Sequence, residues 1–263
     1  MRKTELLDKY ARDGDSRLLL ARVLDQWQRA EQRGVPTHTG FLSPAEQAVS
    51  ADLLMAAAPG QGILAGGYPD AERRLWAFLP DWLEEEYLAQ EEYLTALRCT
   101  WFREDKLTHR DILGALMGLG VRRDTVGDIL VGEESCDLLA LPTVAPFLRD
   151  NFVSAGRVKL RVTEIPLDQL RLPVQHRKEL HDTVAALRLD SVLAVGFSIS
   201  RSKAAQLISA GRCAVNWQDT TKGDLTLRAG DVISCRGLGK CRLTQVGGLS
   251  RKGRINITVE RYL

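Results

Sequence analysis

The stretch whose reading decides the fold runs over residues 189–216, LDSVLAVGFSISRSKAAQLISAGRCAVN. Its pattern predicts a short helix, a turn, a second helix and then a strand. Val192, Leu193 and Val195 give the first helix an apolar side, and Gly196 is expected to end it as a left-handed cap. Ser200 is a suitable N-cap for the second helix, whose inward positions are Ala204, Leu207 and Ile208, and Gly211 ends it. The start of this helix carries Arg201 and Lys203 with Ser200 and Ser202 beside them. Unpaired N–H groups, the positive end of the helix dipole and two cations meet there, which suits a phosphate. A DNA-type helix-turn-helix competes for the same two helices, so the flanking residues have to decide.

Downstream, alternation puts Arg212, Ala214, Asn216 and Gln218 on one strand face and Cys213, Val215 and Trp217 on the other. A turn is expected from Asp219 to Gly223. Gly230-Asp231 leads into a second strand with Ile233 and Cys235 inward and Ser234 and Arg236 outward. Gly237 to Lys240 reads as a basic loop, with Arg242 on the strand face of Lys240. The last strand, Arg254 to Arg261, turns Ile255, Ile257 and Val259 inward. A pair of DNA-reading helices would not need these strands. The expectation is therefore an α+β module whose basic surface runs from Arg201 to Arg242, with Asn216 on it.

Upstream, the apolar spacing of Leu18, Leu19, Ala21, Val23, Leu24 and Trp27 predicts a helix ended by Gly34 and Pro36. Ser43-Pro44 starts another, through Ala48, Leu53 and Met55, stopped at Pro59-Gly60. From Ile63 the pattern changes to strands at Ile63–Ala65, Leu75–Leu79, Tyr93–Trp101, Val126–Val131, Cys136–Leu141 and Val158–Val162, with helices from Thr108 and Pro142. The glycines of GALMGLG (114–120) have the wrong spacing and context for a dinucleotide loop. Tight helix packing and a cap at Gly120 explain them better. The expected division is a helical region 1–62, an α+β sandwich 63–165, a linker 166–185 and a basic α+β domain 186–263.

The net charge of +2 conceals an asymmetry. Residues 180–263 hold 13 Lys+Arg against 6 Asp+Glu, a balance of +7, and the remainder holds 23 against 28, a balance of −5. A basic final third on an acidic body points to a polyanion partner. No apolar run reaches the roughly 18 residues of a membrane span, and the polar start is no signal peptide, so a cytoplasmic protein without membrane insertion is expected. The 5 cysteines lack any C-x-x-C spacing, and His176 and His181 have no ligand spacing, so neither a metal site nor a cofactor is expected. His109-Arg110-Asp111 is better read as a capped helix start than as an acid–base group, since no nucleophile motif accompanies it. Arg122-Arg123, two adjacent cations after a helix, can reach a backbone phosphate.

RLDSVLA, SRSKAAQLISAGRCAVN and LRAGDVISCRGLGK (from Arg188, Ser200 and Leu227) together resemble the RNA-binding domain first described in ribosomal protein S4. FLSPAEQ from Phe41, GGYPDAERR from Gly66, LTHRDILGALMGLGVRRDTVGDILV from Leu107 and NFVSAGRVKLRVTEIPL from Asn151 resemble the YlmH family. Trp217, where a glycine usually follows the asparagine, and the closing ERYL resemble its cyanobacterial and plastid branch, often labelled photosystem II S4-domain proteins. The resemblance implies an RRM-like middle domain and a non-catalytic factor that binds rRNA and tRNA on the large ribosomal subunit. It further implies a partner quality-control factor on obstructed peptidyl-tRNA, acting in rescue of stalled translation by alanine tailing. The expected RNA-binding residues are Arg188, Ser200, Arg201, Ser202, Lys203, Arg212, Asn216, Arg236, Lys240, Arg242, Arg122 and Arg123, with no catalytic residue.

Two other classes compete. A pseudouridine-synthase-like RNA-modifying enzyme would use the S4 domain for docking, and Arg188-Leu189-Asp190 imitates its Asp-bearing motif from within the module's own first helix. An assembly factor for photosystem II or cell division would act through protein contacts.

Overall fold

Asp13 and Ser43 start the two long helices near the beginning of the chain, which is described here from a computed structural model covering residues 2–80, 82–83, 93–173 and 177–263. The Asp13 carboxylate accepts from the Ser16 N–H at 2.7 Å, and Gly34 closes α2 (Gly14–Arg33) in the left-handed region at φ 61°. Ser43 caps α3 (Pro44–Ala57), Pro44 opens it, and Glu46 accepts from the Ser43 N–H at 2.6 Å. Periodicity predicts both helices. It does not predict α1 (Lys3–Tyr10), which buries only Leu6 and Leu7. No described helix is long and apolar enough to cross a membrane.

Two units divide the chain, Met1–Pro173 and Val174–Leu263. In the first, β1 (Thr37–His38), β2 (Ile63–Ala65) and β3 (Leu75–Phe78) make a sheet of order β1-β3-β2. The boundary expected at residues 62/63 therefore cuts through a module: the two strands after it share a sheet with β1, β3 pairing with β1 and β2 with β3, and not with the strands that follow. The reason is that β3 is buried on both faces. Trp76 and Phe78 pack among Val23 and Leu54 of the helices, whereas Leu75 and Ala77 pack with Phe41, Ala96 and Leu139. A strand apolar on both sides carries no local sign of which sheet it joins.

The β2–β3 loop contains the GGYPDAERR motif, and buried Asp128 accounts for it. Its carboxylate accepts from Tyr68 Oη and the Glu72 N–H at 2.7 Å each and from the Arg73 N–H at 3.0 Å. Arg73 then donates through Nη2 to the Phe41 carbonyl at 2.9 Å. A Cβ on Gly66 would sit 2.4 Å from that of Ala71, so only glycine fits the loop there.

The second sheet contains β4 (Thr95–Thr100), β5 (Val126–Val131), β6 (Ser135–Ala140) and β9 (Arg161–Ile165), in the order β5-β6-β4-β9 with every pair antiparallel. With α4 (His109–Gly118) between β4 and β5 and α5 (Ala145–Asn151) between β6 and β9, this is the split β-α-β-β-α-β arrangement of RRM-like domains. Leu97, Cys99, Cys136 and Leu138 face Ile112, Leu116, Leu148 and Phe152 of the helices. A small hairpin, β7 (Ser154–Ala155) and β8 (Val158–Lys159), precedes β9. The tight packing expected at Gly114 and Gly118 is absent: a Cβ on either would meet nothing within 4 Å. The expected cap holds, with Gly120 at φ 77°.

The second unit is one sheet, order β10-β15-β14-β13-β11-β12, with two helices on its inner face. The segment expected to be linker contributes β10 (Arg177–Val184), paired along its whole length with β15 (Ile255–Tyr262); residues 174–176 lie outside the described residues. The helices α6 (Leu189–Phe197) and α7 (Arg201–Ser209) fall where the opening stretch predicts. Gly196, however, does not end α6. Ser198, at φ 53°, does, and Gly196 lies inside the helix because a Cβ would come 2.7 Å from Cys241 Sγ on the sheet. All 5 cysteines are buried free thiols, and burial pushes those of Cys99, Cys213 and Cys241 up to about 12. The architecture is α+β throughout.

Candidate nucleic-acid interface

Ser200 caps α7 as the spacing predicts, accepting from the Lys203 N–H at 3.2 Å, and its hydroxyl lies 3.1 Å from that of Ser202. Ala204, Leu207 and Ile208 are buried, which turns the side chains of Arg201 and Lys203 outward. Arg201 does not stand alone. Its Nη2 reaches Asp190 Oδ2 at 3.0 Å, and Arg188 reaches the same oxygen at 3.1 Å. Burial raises the pKa of Asp190, but hydrogen bonds from Arg188, Arg201 and Ser191 outweigh that and hold its carboxyl below the usual range. Asp190 is thus a buried anion that orients two cations at the helix start. Its ion pairs with Arg188 and Arg201 give the Arg-Leu-Asp sequence a structural part in the first turn of α6.

Arg212 and Arg236 meet at the far end of α7, where Arg212 Nη2 donates to the Arg236 carbonyl at 2.7 Å. The 9-residue helix separates this pair from Arg201 by roughly 14 Å at 1.5 Å rise per residue. Lys240 and Arg242 lie elsewhere. They alternate along β14 (Gly239–Leu249) with Cys241 and Leu243, which belong to the core under the helices, so they project from the opposite face of the sheet. The single surface expected to continue from Arg201 to Arg242 is therefore two surfaces, one per layer.

Asn216 is not on a basic strand face. The strand β11 (Cys213–Val215) stops before it, and residues 216–217 form a two-residue hairpin turn into β12 (Gln218–Thr220), which replaces the turn expected at 219–223. Asn216 Nδ2 donates to Asp231 Oδ1 at 2.8 Å, and its Oδ1 accepts from the Val232 N–H at 2.9 Å. The asparagine and the Gly-Asp pair at 230–231 are thus halves of one internal clasp. Asn216 and Trp217 take φ 47° and 61°, the type I′ geometry that favours Asn-Gly. A tryptophan in the second place is strained. Trp217→Gly is expected to stabilise the protein by about 1 kcal/mol, read as a higher urea midpoint; an unchanged or lower midpoint would disprove the strain.

In the first unit neither arginine of the Arg122-Arg123 pair is open to solvent and unpaired. Arg122 is held in a bidentate pair by Asp124. Arg123 turns inward and donates to the carbonyls of Val126 and Gly127; burial and the neighbouring Arg73 push its pKa down to about 10. The side chain is locked by local structure that dipeptide reading cannot foresee.

Sequence reasoning also missed Tyr262. Its ring lies 4.9 Å from Lys240 Nζ and 5.2 Å from the Arg177 guanidinium, on the outer face of the C-terminal sheet. The signal was present in the closing ERYL, but no local rule assigns a terminal tyrosine to two cations brought there by strand pairing.

Three family descriptions match in chain order: "YlmH, N-terminal" over residues 15–81, "Putative RNA-binding domain in YlmH" over 101–169, and the S4 domain over 187–233. The Bacillus subtilis (strain 168) protein "Ribosome-associated protein quality control protein P2" is 33% identical over 256 residues, spanning 94% of this chain and 95% of its own. The structure titled "Cell division protein ylmH from Streptococcus pneumoniae" shares the fold at TM-score 0.50 and 21% identity, covering 61% of this chain and 96% of its own. With its three regions matched in order and a relative aligned almost end to end, the chain belongs to the YlmH family of S4-domain proteins.

Proposed function

We propose that this protein is a non-catalytic RNA-binding factor of the ribosome that holds rRNA, and the tRNA of an obstructed peptidyl-tRNA, on the large subunit during rescue of stalled translation, where it aids alanine tailing of the nascent chain beside a partner quality-control factor. The observation that carries this reading is the relative in ribosome-associated quality control, 33% identical over 94% of the chain. The geometry supports it: Arg188 and Arg201 gather around one buried carboxylate, Lys203 is exposed in the same first turn of α7, and Arg212 with Arg236 stands at the other end of that helix. Helix-layer cations of this kind suit phosphates of structured RNA, which is read by shape and backbone more than by base edges.

Such binding is driven by counterion release. Cosedimentation of the purified chain with large ribosomal subunits across a potassium chloride series is expected to give a steep loss of affinity. Four phosphate contacts correspond to a slope of roughly 3 log units of affinity per log unit of salt. A flat salt response, or no association at low salt, would overturn the reading.

A further inference from the structure

An RRM-like domain ordinarily stacks bases on the open face of its sheet, using aromatic side chains on the two central strands. Here that face is closed. The central strands β4 and β6 present Ala96 with Leu139, Arg98 with Asp137, and Thr100 with Ser135 on it. Ala96 and Leu139 are buried under Phe41, Leu75 and Ala77. Arg98 and Asp137 lie under the segment after β9, through the Gln169 carbonyl at 2.6 Å and the Arg171 N–H at 2.7 Å. No aromatic residue occurs on either central strand. Any RNA contact of this domain has to use another surface.

One such surface is a cleft of about 450 Å³ between the start of α4 and the β7–β8 hairpin. Lys106 and Arg110 line one wall and Arg157, at the hairpin tip, the other. All three are exposed, and among the described residues none of them forms a salt bridge. The carboxylate in the lining, Asp111, is turned back onto Thr108, accepting from its N–H at 2.9 Å and its hydroxyl at 2.6 Å. Gly114 lies one helical turn after Arg110 on the same exposed stripe and borders the cleft. Glycine weakens a helix interior, and here no neighbour requires it: a Cβ would meet nothing within 4 Å. What its lack of a side chain does provide is open room beside the cations.

We infer that this cleft is a second RNA site, in which Lys106, Arg110 and Arg157 bind backbone phosphates of structured RNA while Gly114 leaves space for the strand. It rests on the reading of the protein as a ribosomal RNA-binding factor and adds a contact from the first unit. Its chemistry is that of a phosphate clamp without base readout, since no aromatic platform lines it.

The test uses the full-length chain and purified large ribosomal subunits, with binding measured across a salt series. The triple variant Lys106→Gln, Arg110→Gln, Arg157→Gln is expected to weaken binding about tenfold or more and to lower the salt slope by roughly two units. Gly114→Gln, which fills the floor at unchanged charge, is expected to weaken it about threefold or more. A photocrosslinking residue in place of Arg157 is expected to form an adduct with RNA. Unchanged affinity and slope in the triple variant would overturn the site, as would an effect of the triple variant without one of Gly114→Gln, or an adduct with ribosomal protein alone. Loss of binding on reversing Arg201 and Lys203, with the cleft variants as wild type, would sink this site and leave the S4-domain reading standing. Unaltered binding in every variant would sink both.

Discussion

Reversing Arg201 and Lys203 together to glutamate is expected to weaken association with large ribosomal subunits by on the order of 100-fold, with the folded state intact. Both side chains project from the start of α7, and the residues that build the core there are Ala204, Leu207 and Ile208. A charge-assisted hydrogen bond contributes about 1.5–3 kcal/mol, and 1.4 kcal/mol is tenfold in affinity. Two lost contacts therefore amount to at least two orders of magnitude. Reversal of Arg201 also sets a glutamate against Asp190, which now accepts from Arg201 at 3.0 Å, so a control is needed. Lys203→Glu alone leaves that pair untouched and is expected to cost about half as much in log affinity. Cosedimentation and circular dichroism on the same samples decide the matter; a double variant that binds within twofold of wild type would remove the proposed interface.

Asp137→Ala is expected to destabilise the Met1–Pro173 unit by about 3–5 kcal/mol, the cost of breaking a buried ion pair from one side. The Asp137 carboxylate is 1% exposed and accepts from Arg98 Nε and Nη2 and from the Arg171 N–H, each at 2.7 Å. Its loss leaves a guanidinium 14% exposed without its anion and a buried N–H without an acceptor. For a unit of this size the melting temperature should fall by about 8–15 °C. Arg98→Met with Asp137→Leu removes both charges and should recover most of the loss, because an apolar pair of similar volume avoids the desolvation cost. A drop under 2 °C for the single variant would show that the pair contributes little. The same variant bears on the closed sheet face, since Arg98 and Asp137 anchor the segment that covers it.

Much of the C-terminal unit was legible because its signals are local. Ser200 had to cap because the first N–H groups of a helix lack partners, and Ala204, Leu207 and Ile208 had to face inward because 3.6-residue periodicity puts them on one stripe. The alternation of Ile255, Ile257 and Val259 likewise identified the last strand. The motif residues were legible as a pattern but not as parts. Asn216 looked like an RNA contact and is one half of a turn clasp with Asp231. Gly196 looked like a helix end and is a close approach between α6 and the sheet. In both cases the partner lies well away in sequence, 15 residues on for Asp231 and 45 for Cys241.

By itself, then, the sequence determined a cap of each of α2, α3 and α7 and most strand runs outside β10 and β12, that the last third is basic, and which family the chain resembles. Tertiary structure alone decided that β2 and β3 join the N-terminal helices, that Arg123 points inward, that Lys240 and Arg242 occupy the sheet face away from α7, and that the face an RRM would use for RNA is covered. Element boundaries follow from backbone groups and side-chain periodicity within a few residues of each other. Which face of an element meets which neighbour is settled by pairing register and by the burial of both sides of β3, and those contacts join residues far apart in the chain.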